Sequence, residues 1–318
     1  MISGLYFMSQ KLVDLKNKMA SVSNIKDTTE TMSTVAAAKL ARSRAKALSL
    51  RAYTKRLRKI ALLQSQYTLN NSEAIKKVSP LLIQKRNKAK TVVFMIASDI
   101  GMCGSYNGII GKKTHLFLDE YLKNNKEAEA GVWIKGKRGE RYIKTKTPFP
   151  ILKIAPWSAE GVTMEDALSL VGEMTDLFLN RGIDEIYCAY TKFHGPAKRE
   201  PMVIRMLPFS LDEGENGHEH HHNFEDWIYE PDLLAILAEL VPNYFKIQIF
   251  NILLESYASE QGARMMAMED ASERASEKLQ EMGIQYNRMR RDLITLDLLG
   301  TLSAAAVIEK ESASQTGF

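Results

Sequence analysis

The carboxyl-terminal end of the chain contains a very long segment that no proline interrupts. No proline follows Pro242, so residues 243 to about 310 can form one helix of about 68 residues, roughly 100 Å long. Its apolar residues are spaced alternately by four and three positions, a heptad pattern: Ala275, Leu279, Met282, Tyr286, Met289, Leu293 and Leu296. A helix of this length is stable in water only if this apolar stripe is covered.

The amino-terminal end carries a matching segment. Residues 5 to 65 contain no proline, and their apolar residues also recur at spacings of three and four: Leu12, Leu15, Met19 and Val22. Both segments connect to the same central part of the chain, one entering it and one leaving it. We therefore predict that the N- and C-terminal helices form a long antiparallel two-helix coiled coil.

The middle of the chain alternates between strand and helix patterns. Strands are predicted at 91–99, 130–134, 150–154 and 184–193. One helix is predicted directly after the glycine turn, which spans 101–108, and another at 163–182. This alternation is typical of an α/β fold with a mostly parallel sheet. The predicted division is a coiled-coil helix at 1–65, a central Rossmann-like α/β domain at 66–224 and a second coiled-coil helix at 225–318.

Composition narrows the class of protein. The chain has 318 residues, of which 45% are apolar and 25% charged, as in soluble globular proteins. Cys103 and Cys188 are too few for a disulfide framework. The opening "MISGLYFM" is too short for a signal peptide, and no apolar run approaches the roughly 20 residues that span a bilayer, so we expect any membrane association to be peripheral.

The glycines after the first strand raise the question of nucleotide binding. "GMCGSYNG" spaces its glycines differently from the dinucleotide pattern, and the nearby "GKKT" lacks the remainder of a P-loop. The pattern favours a tight structural turn, with Asp99 as its cap, over a phosphate site. Nucleotide binding stays the alternative.

Histidines gather in the acidic segment "SLDEGENGHEHHHN" at 210–223. Imidazoles bind zinc or nickel well, but consecutive residues seldom converge on one metal, so a solvated surface loop is the favoured interpretation. His115 and His194 stand alone, without a catalytic partner in the sequence. We therefore predict no catalytic residue, no metal site and no cofactor.

Basic residues gather in the first helix. Between Thr31 and Ser72 there is no acidic residue, and the basic residues are Lys39, Arg42, Arg44, Lys46, Arg51, Lys55, Arg56, Arg58 and Lys59. Such a face can be merely solvated, or it can bind nucleic acid through its phosphates. The favoured interpretation is a rod that lies inside a collar of acidic protein loops.

Five stretches of the chain resemble a known family. They are "ASVSNIKDTTETMSTVAAAKLARS" at 20–43, "SDIGMCGSYN" at 98–107, "YEPD" at 229–232, "ESYASEQGARMMAMEDA" at 255–271 and "YNRMRRDLITLDLL" at 286–299. In this order they resemble the signature stretches of the gamma subunits of F-type ATP synthases. The resemblance covers almost the whole chain.

The resemblance implies a function. In that family the coiled coil is the central shaft inside a ring of alpha and beta subunits, and its base contacts the epsilon subunit and the membrane c-ring. Flow of protons or sodium ions turns the shaft, which drives the catalytic sites of its neighbours. The resemblance thus implies a non-catalytic subunit, peripheral to the cytoplasmic face of a bacterial plasma membrane, that binds no nucleic acid.

The resemblance also implies contact residues. Met32, Lys39, Arg42 and Arg264 match positions near the acidic loop of the catalytic subunit. Tyr229 and Glu230 match positions that touch the rotor ring, and Arg290 and Thr295 match positions that bond to catalytic-subunit loops.

The chain departs from the family pattern at four positions. Asp27 and Glu30 replace usual lysines, and Arg291 and Leu296 replace usual glutamines. We expect these departures to alter individual contacts and to leave the fold unchanged.

Two other classes of protein are alternatives. An α/β enzyme with dimerising helical arms would need a catalytic constellation, which the sequence does not offer. A basic coiled-coil protein that binds nucleic acid would show steeply salt-dependent binding to DNA.

Overall fold

A computed structural model describes residues 2–68, 80–82, 90–158, 161–208, 230 and 233–315. Five helices lie in these ranges: α1 Ile2–Thr68, α2 Tyr106–Asn124, α3 Gly139–Lys146, α4 Met164–Leu179 and α5 Leu233–Gln315. A short 3-10 turn spans Pro80–Leu82. The strands are β1 Lys90–Ile96, β2 Glu129–Lys135, β3 Ile151–Ala155, β4 Glu185–Phe193 and β5 Arg199–Leu207.

The strands form one sheet in the order β3-β2-β1-β4-β5. β1 pairs in parallel with β2 and β4, and β2 pairs in parallel with β3, whereas β5 is antiparallel to β4. β1 is the central strand, and all its residues after Lys90 are buried. A strand covered on both faces is apolar along its length, which is why the sequence pattern identified it. The prediction of an α/β fold with a mostly parallel sheet is confirmed.

Each face of the sheet has its own apolar core. On one face Phe94 and Trp133 pack with α4 and with residues 241–254 of α5. On the other face Val93 and Met95 pack with α2 and α3. The sheet is thus the middle layer of a three-layer α/β sandwich.

Helix α5 begins earlier than predicted. It starts at Leu233, so the expectation that the helix follows Pro242 is wrong. A proline inside a helix loses its own bond to the carbonyl four residues earlier, and its ring crowds that carbonyl, at a cost of about 3 kcal/mol. Val241 and Phe245 on either side are buried in the core of the sheet, and their burial holds the helix together through the proline.

The described chain groups into two compact units. The first, here called the coiled-coil unit, consists of residues 1–34 and 268–318, and the second, the sheet unit, consists of residues 35–267. The division into 1–65, 66–224 and 225–318 stays a prediction, because it follows chain order whereas the two units follow contacts in space.

Helices α1 and α5 run antiparallel. In the sheet unit, a methyl group added to Gly262 of α5 would lie 3.9 Å from Cδ2 of Leu40 in α1. Further along α1, Ala47 lines a cavity together with Asn251, which comes earlier in α5. As one helix advances its contacts on the other recede, so the predicted antiparallel arrangement is confirmed.

The coiled-coil unit buries the predicted heptad stripe over most of its length. In α1 the four predicted residues are half-buried: Leu12, Leu15, Met19 and Val22. In α5, Ala275 and Met282 are buried, and the next members of the stripe are half-buried as far as Leu293. Leu296 is 38% exposed. The stripe is therefore covered up to Leu293 and becomes open beyond it.

Candidate functional site

The glycine loop, residues 98–107, lies at the carboxyl end of β1 and has an unusual backbone. Met102 and Gly104 adopt positive φ angles of 60° and 57°. Asn107 holds the ends of the loop together, because its Oδ1 accepts from the backbone N of Ser98 at 3.0 Å and its Nδ2 donates to Ser98 Oγ at 2.7 Å.

Asp99 does not cap its own turn, contrary to the prediction. Its carboxylate accepts from the backbone N of Lys137 at 2.8 Å and from that of Trp157 at 2.6 Å. These two residues follow β2 and β3, so Asp99 ties together the loops at the carboxyl edge of the sheet. The capping role belongs to Asn107, a residue that the sequence analysis did not single out.

Arg264 of α5 binds the glycine loop through backbone carbonyl groups. Its Nη2 donates to the carbonyl oxygen of Ile100 at 2.8 Å, and its Nε donates to that of Gly101 at 3.3 Å. Its Nη1 donates to Glu260 Oε1 at 2.8 Å, and both side chains are buried. A phosphate cradle presents backbone N–H groups to an anion. This loop instead presents carbonyl oxygens to a cation of the same chain.

Two further polar contacts join α5 to the same edge of the sheet. The hydroxyl of Tyr106 lies 2.8 Å from Ser256 Oγ, and Ser259 Oγ donates to the carbonyl oxygen of Thr191 in β4 at 3.0 Å. Open α/β sheets bind nucleotides in the crevice at the carboxyl ends of neighbouring strands where the strand order reverses, here β1 and β4. Helix α5 occupies that place, which explains why the glycine loop is a structural turn.

Burial sets the protonation behaviour of this cluster. It raises the pKa of Glu260 to about 7, although Arg264 and, more weakly, Lys39 favour the charged form. Asp99 repels that charge and raises the pKa further. Burial also raises the pKa of the Cys103 thiol, which disfavours the nucleophilic thiolate at neutral pH. The cluster is therefore suited to holding elements together and is poorly suited to nucleophilic chemistry.

The raised pKa of Glu260 predicts a specific pH dependence of stability. The pKa is 4.5 in the unfolded chain and about 7 in the folded chain, so this contribution is fully present below pH 4.5 and is lost as the pH rises through 7. The loss is on the order of 3 kcal/mol. Glu260→Gln removes this titration, so the melting temperature of the variant relative to that of the wild type should be higher at pH 8 than at pH 5. A difference between the two proteins that does not change with pH would contradict this assignment.

The structure places most of the predicted contact residues on the surface. Lys39 and Arg42 are exposed on one side of α1, and Met32 is half-buried. Arg290 and Thr295 are exposed on α5, although the Thr295 hydroxyl donates to the carbonyl oxygen of Arg291 at 3.0 Å.

The remaining predicted positions differ in their surroundings. Glu230 is exposed, whereas Tyr229 and the histidine-rich segment lie outside the described residues. Arg264 is buried inside the sheet unit, where its partners are groups of its own chain. At the departures from the family pattern, Asp27, Glu30 and Arg291 are exposed.

Comparisons with known proteins identify the family. A family model described as ATP synthase matches residues 11–308. The ATP synthase gamma chain of Geobacter metallireducens is 32% identical over 300 residues, which cover 94% of this chain and 99% of that protein. The chain belongs to the ATP synthase gamma chain family. The gamma chain of Geotalea uraniireducens is 31% identical over 298 residues, with 94% and 99% coverage.

Solved structures show the same fold. The central stalk of the Tetrahymena thermophila mitochondrial ATP synthase aligns with a TM-score of 0.53 at 23% identity, over 77% of this chain and 99% of that chain. A chain of the Euglena gracilis mitochondrial ATP synthase aligns with a TM-score of 0.57 at 15% identity, over 98% and 97%. Family membership and fold together make this gamma chain the central rotor shaft of an F-type ATP synthase.

Sequence reasoning missed the polar residues that hold α5 in this gamma chain. The inner stripe of α5, as we call it, consists of Ser256, Ser259, Glu260, Ala263, Arg264 and Ala267. Its members follow one another at helical spacings of three, one, three, one and three, a pattern visible in "SYASEQGARMMA". Small and polar residues give no signal in an apolar heptad pattern. Of this stripe, only Arg264 is among the contact residues predicted from sequence. No helix in the described part of the chain is both long enough and apolar enough to cross a membrane.

Proposed function

We propose that this gamma chain acts entirely through contacts and carries no catalytic group of its own. The alpha and beta subunits surround the coiled-coil unit, and the catalytic sites lie on them. The epsilon subunit and the c-ring contact the base. Proton or sodium-ion flow drives rotation at the cytoplasmic face of a bacterial plasma membrane.

The observation that carries this proposal is an exposed apolar surface at the end of α5. Residues 2–34 of α1 span about 50 Å of helix, whereas residues 268–315 of α5 span about 72 Å, so the end of α5 extends past its partner in the coiled-coil unit. Large apolar side chains lie exposed there: Ile294, Leu298, Leu299 and Leu302. Leu302 is 67% exposed. A cluster of this kind is typical of a protein interface.

Basic residues of α1 also support contacts with the surrounding subunits. Lys39 and Arg42 are exposed on a stretch of α1 without acidic residues. Complementary charge would orient acidic loops of the beta subunit on this stretch. Met32, Arg290 and Thr295 are proposed as further contacts with the surrounding ring, and Tyr229 and Glu230 as contacts with the c-ring. Arg264 is buried among groups of its own chain, so we propose no direct partner contact for it.

The apolar end of α5 can be tested in a complex of alpha, beta and gamma chains. We expect the triple variant Leu298→Ser, Leu299→Ser, Leu302→Ser to lower ATPase activity by about fivefold or more, because buried apolar contacts dominate interface energies. Gel filtration should show that the variant dissociates more readily from the complex.

A matched control replaces exposed leucines of the sheet unit: Leu116→Ser, Leu152→Ser and Leu168→Ser. This control should retain activity and assembly. Equal behaviour of the two triple variants would refute the proposed interface.

A further inference from the structure

We propose that the inner stripe of α5 and the glycine loop form a torque joint, which prevents α5 from turning about its own axis within the sheet unit. The proposal rests on the rotor function of the family and goes beyond the partner contacts proposed above. Helix α5 continues without interruption from Leu233 to Gln315. Rotation of the sheet unit reaches the shaft through α5 and α1, and this joint is the polar part of the connection to α5.

The polar contacts of the stripe are directional and come from two elements. The glycine loop holds Arg264 through the carbonyl groups of Ile100 and Gly101, and Tyr106 holds Ser256. The end of β4 holds Ser259 through Thr191. Apolar contacts have no preferred direction, whereas these hydrogen bonds exist at one rotational setting of the helix.

A turn of α5 would carry a large penalty at Arg264. Rotation by one residue moves a side chain about 100° around the helix axis. It would separate the guanidinium from both loop carbonyls, whereas Glu260 lies on the same helix and would move with it. A buried donor that loses its acceptors carries the cost of its desolvation without compensation. The bonds from Arg264 to the loop carbonyls thus fix the rotational setting.

Small residues let the loop and the helix come close. Ala263 packs against Cys103 and Tyr106 in a small buried cluster. A Cβ atom on Gly104 would lie 3.8 Å from Cβ of Ala267. On the other side of α5, a Cβ atom on Gly262 would lie 3.4 Å from Cα of Pro196 in the β4–β5 hairpin. The glycine loop and the β4–β5 hairpin therefore contact α5 on two sides between residues 262 and 267.

The test measures how many ions the complete ATP synthase pumps per ATP hydrolysed. Inverted membrane vesicles carrying Arg264→Gln should hydrolyse ATP within about twofold of the wild-type rate and pump ions at a ratio lowered about threefold or more, because α5 slips under load once its directional bonds are gone. Lys246→Gln is the matched control. That lysine lies on the same helix and donates to Asn243 of the helix itself. The pumping ratio of this variant should therefore equal that of the wild type.

A disulfide can replace the lost hydrogen bonds. Its usual Cβ–Cβ separation is about 3.8 Å, which fits Gly104→Cys paired with Ala267→Cys by distance, although the φ of 57° at Gly104 strains any side chain there. In an Arg264→Gln, Cys103→Ser background, closing this disulfide should restore the pumping ratio, and reducing it should lower the ratio again. A purely structural role for Arg264 would not produce such reversible rescue.

Two results would contradict the proposed joint. One is an unchanged pumping ratio in assembled Arg264→Gln complexes, and the other is a lowered ratio that stays low after the disulfide has closed. If Arg264→Gln complexes do not assemble, the double variant Tyr106→Phe, Ser259→Ala removes other hydrogen bonds of the same joint. Its rate of ATP hydrolysis and its pumping ratio then test the proposal. Normal assembly with a lowered ratio would separate this proposal from a failure of the interface at the end of α5.

Discussion

Replacing Leu293 by proline is expected to abolish most of the rotation-coupled ATPase activity while the sheet unit stays folded. Leu293 is half-buried at the last covered position of the heptad stripe. Proline there removes the bond to the carbonyl group of Met289 and its ring clashes with that carbonyl, at a cost of about 3 kcal/mol or more. The kink also redirects the exposed apolar end of α5 that follows.

The measurement compares ATPase activity in a complex with alpha and beta subunits, where the activity should fall about tenfold or more. Leu293→Ala is the control. It removes apolar area but keeps the helix, so most activity should remain. Thermal unfolding of the sheet unit should not change in either variant. Wild-type activity in Leu293→Pro would mean that the stiffness of the shaft above this point is not needed.

Truncating Phe245 should destabilise the sheet unit strongly, although the residue belongs to the shaft helix. Its side chain is only 1% exposed and packs in the core of the sheet. Phe245→Ala should cost about 3 to 5 kcal/mol, which lowers the melting temperature of a unit of this size by roughly 10 °C.

Ile284→Ala is the matched control for Phe245→Ala, because Ile284 lies on the same helix and is 67% exposed. Its melting temperature should stay within a degree or two of that of the wild type, at about 0.5 kcal/mol or less. A small effect of Phe245→Ala would show that α5 is not part of the core of the sheet unit.

The two long helices could be predicted from sequence because their signal is repeated many times. The absence of proline and the heptad stripe both persist over many turns, so single exceptions do not obscure the pattern. The prediction of a covered stripe is wrong only at Leu296, which is exposed. Coverage depends on the length of the partner helix, which the stripe itself does not encode.

The start of α5 could not be predicted because tertiary packing decided it. A proline is a reliable local signal for a helix boundary, and Pro242 therefore predicts one. The apolar residues around it gain more from the core of the sheet than the helix loses at the proline. Burial against a distant strand is not visible in the local sequence.

Short elements with few buried residues also escaped prediction. Helix α3 has eight residues, and only Gly139 and Ile143 among them are buried. Two buried positions cannot establish a helical period.

The inner stripe could not be predicted for a different reason. Serine carries no apolar signal and alanine only a weak one, and for Arg264 the family resemblance implies a contact with the catalytic subunit. Its role depends on the carbonyl groups of Ile100 and Gly101, which are backbone atoms far away in the sequence.

The most direct test of the central claim is rotation itself. The purified chain should show no ATPase activity alone. Assembled with alpha and beta subunits fixed to a surface, a probe attached to its sheet unit should rotate in one direction when ATP is added. ATP hydrolysis by the chain alone, or full ATP hydrolysis by the complex with the probe at rest, would contradict the account of this chain as the rotor shaft.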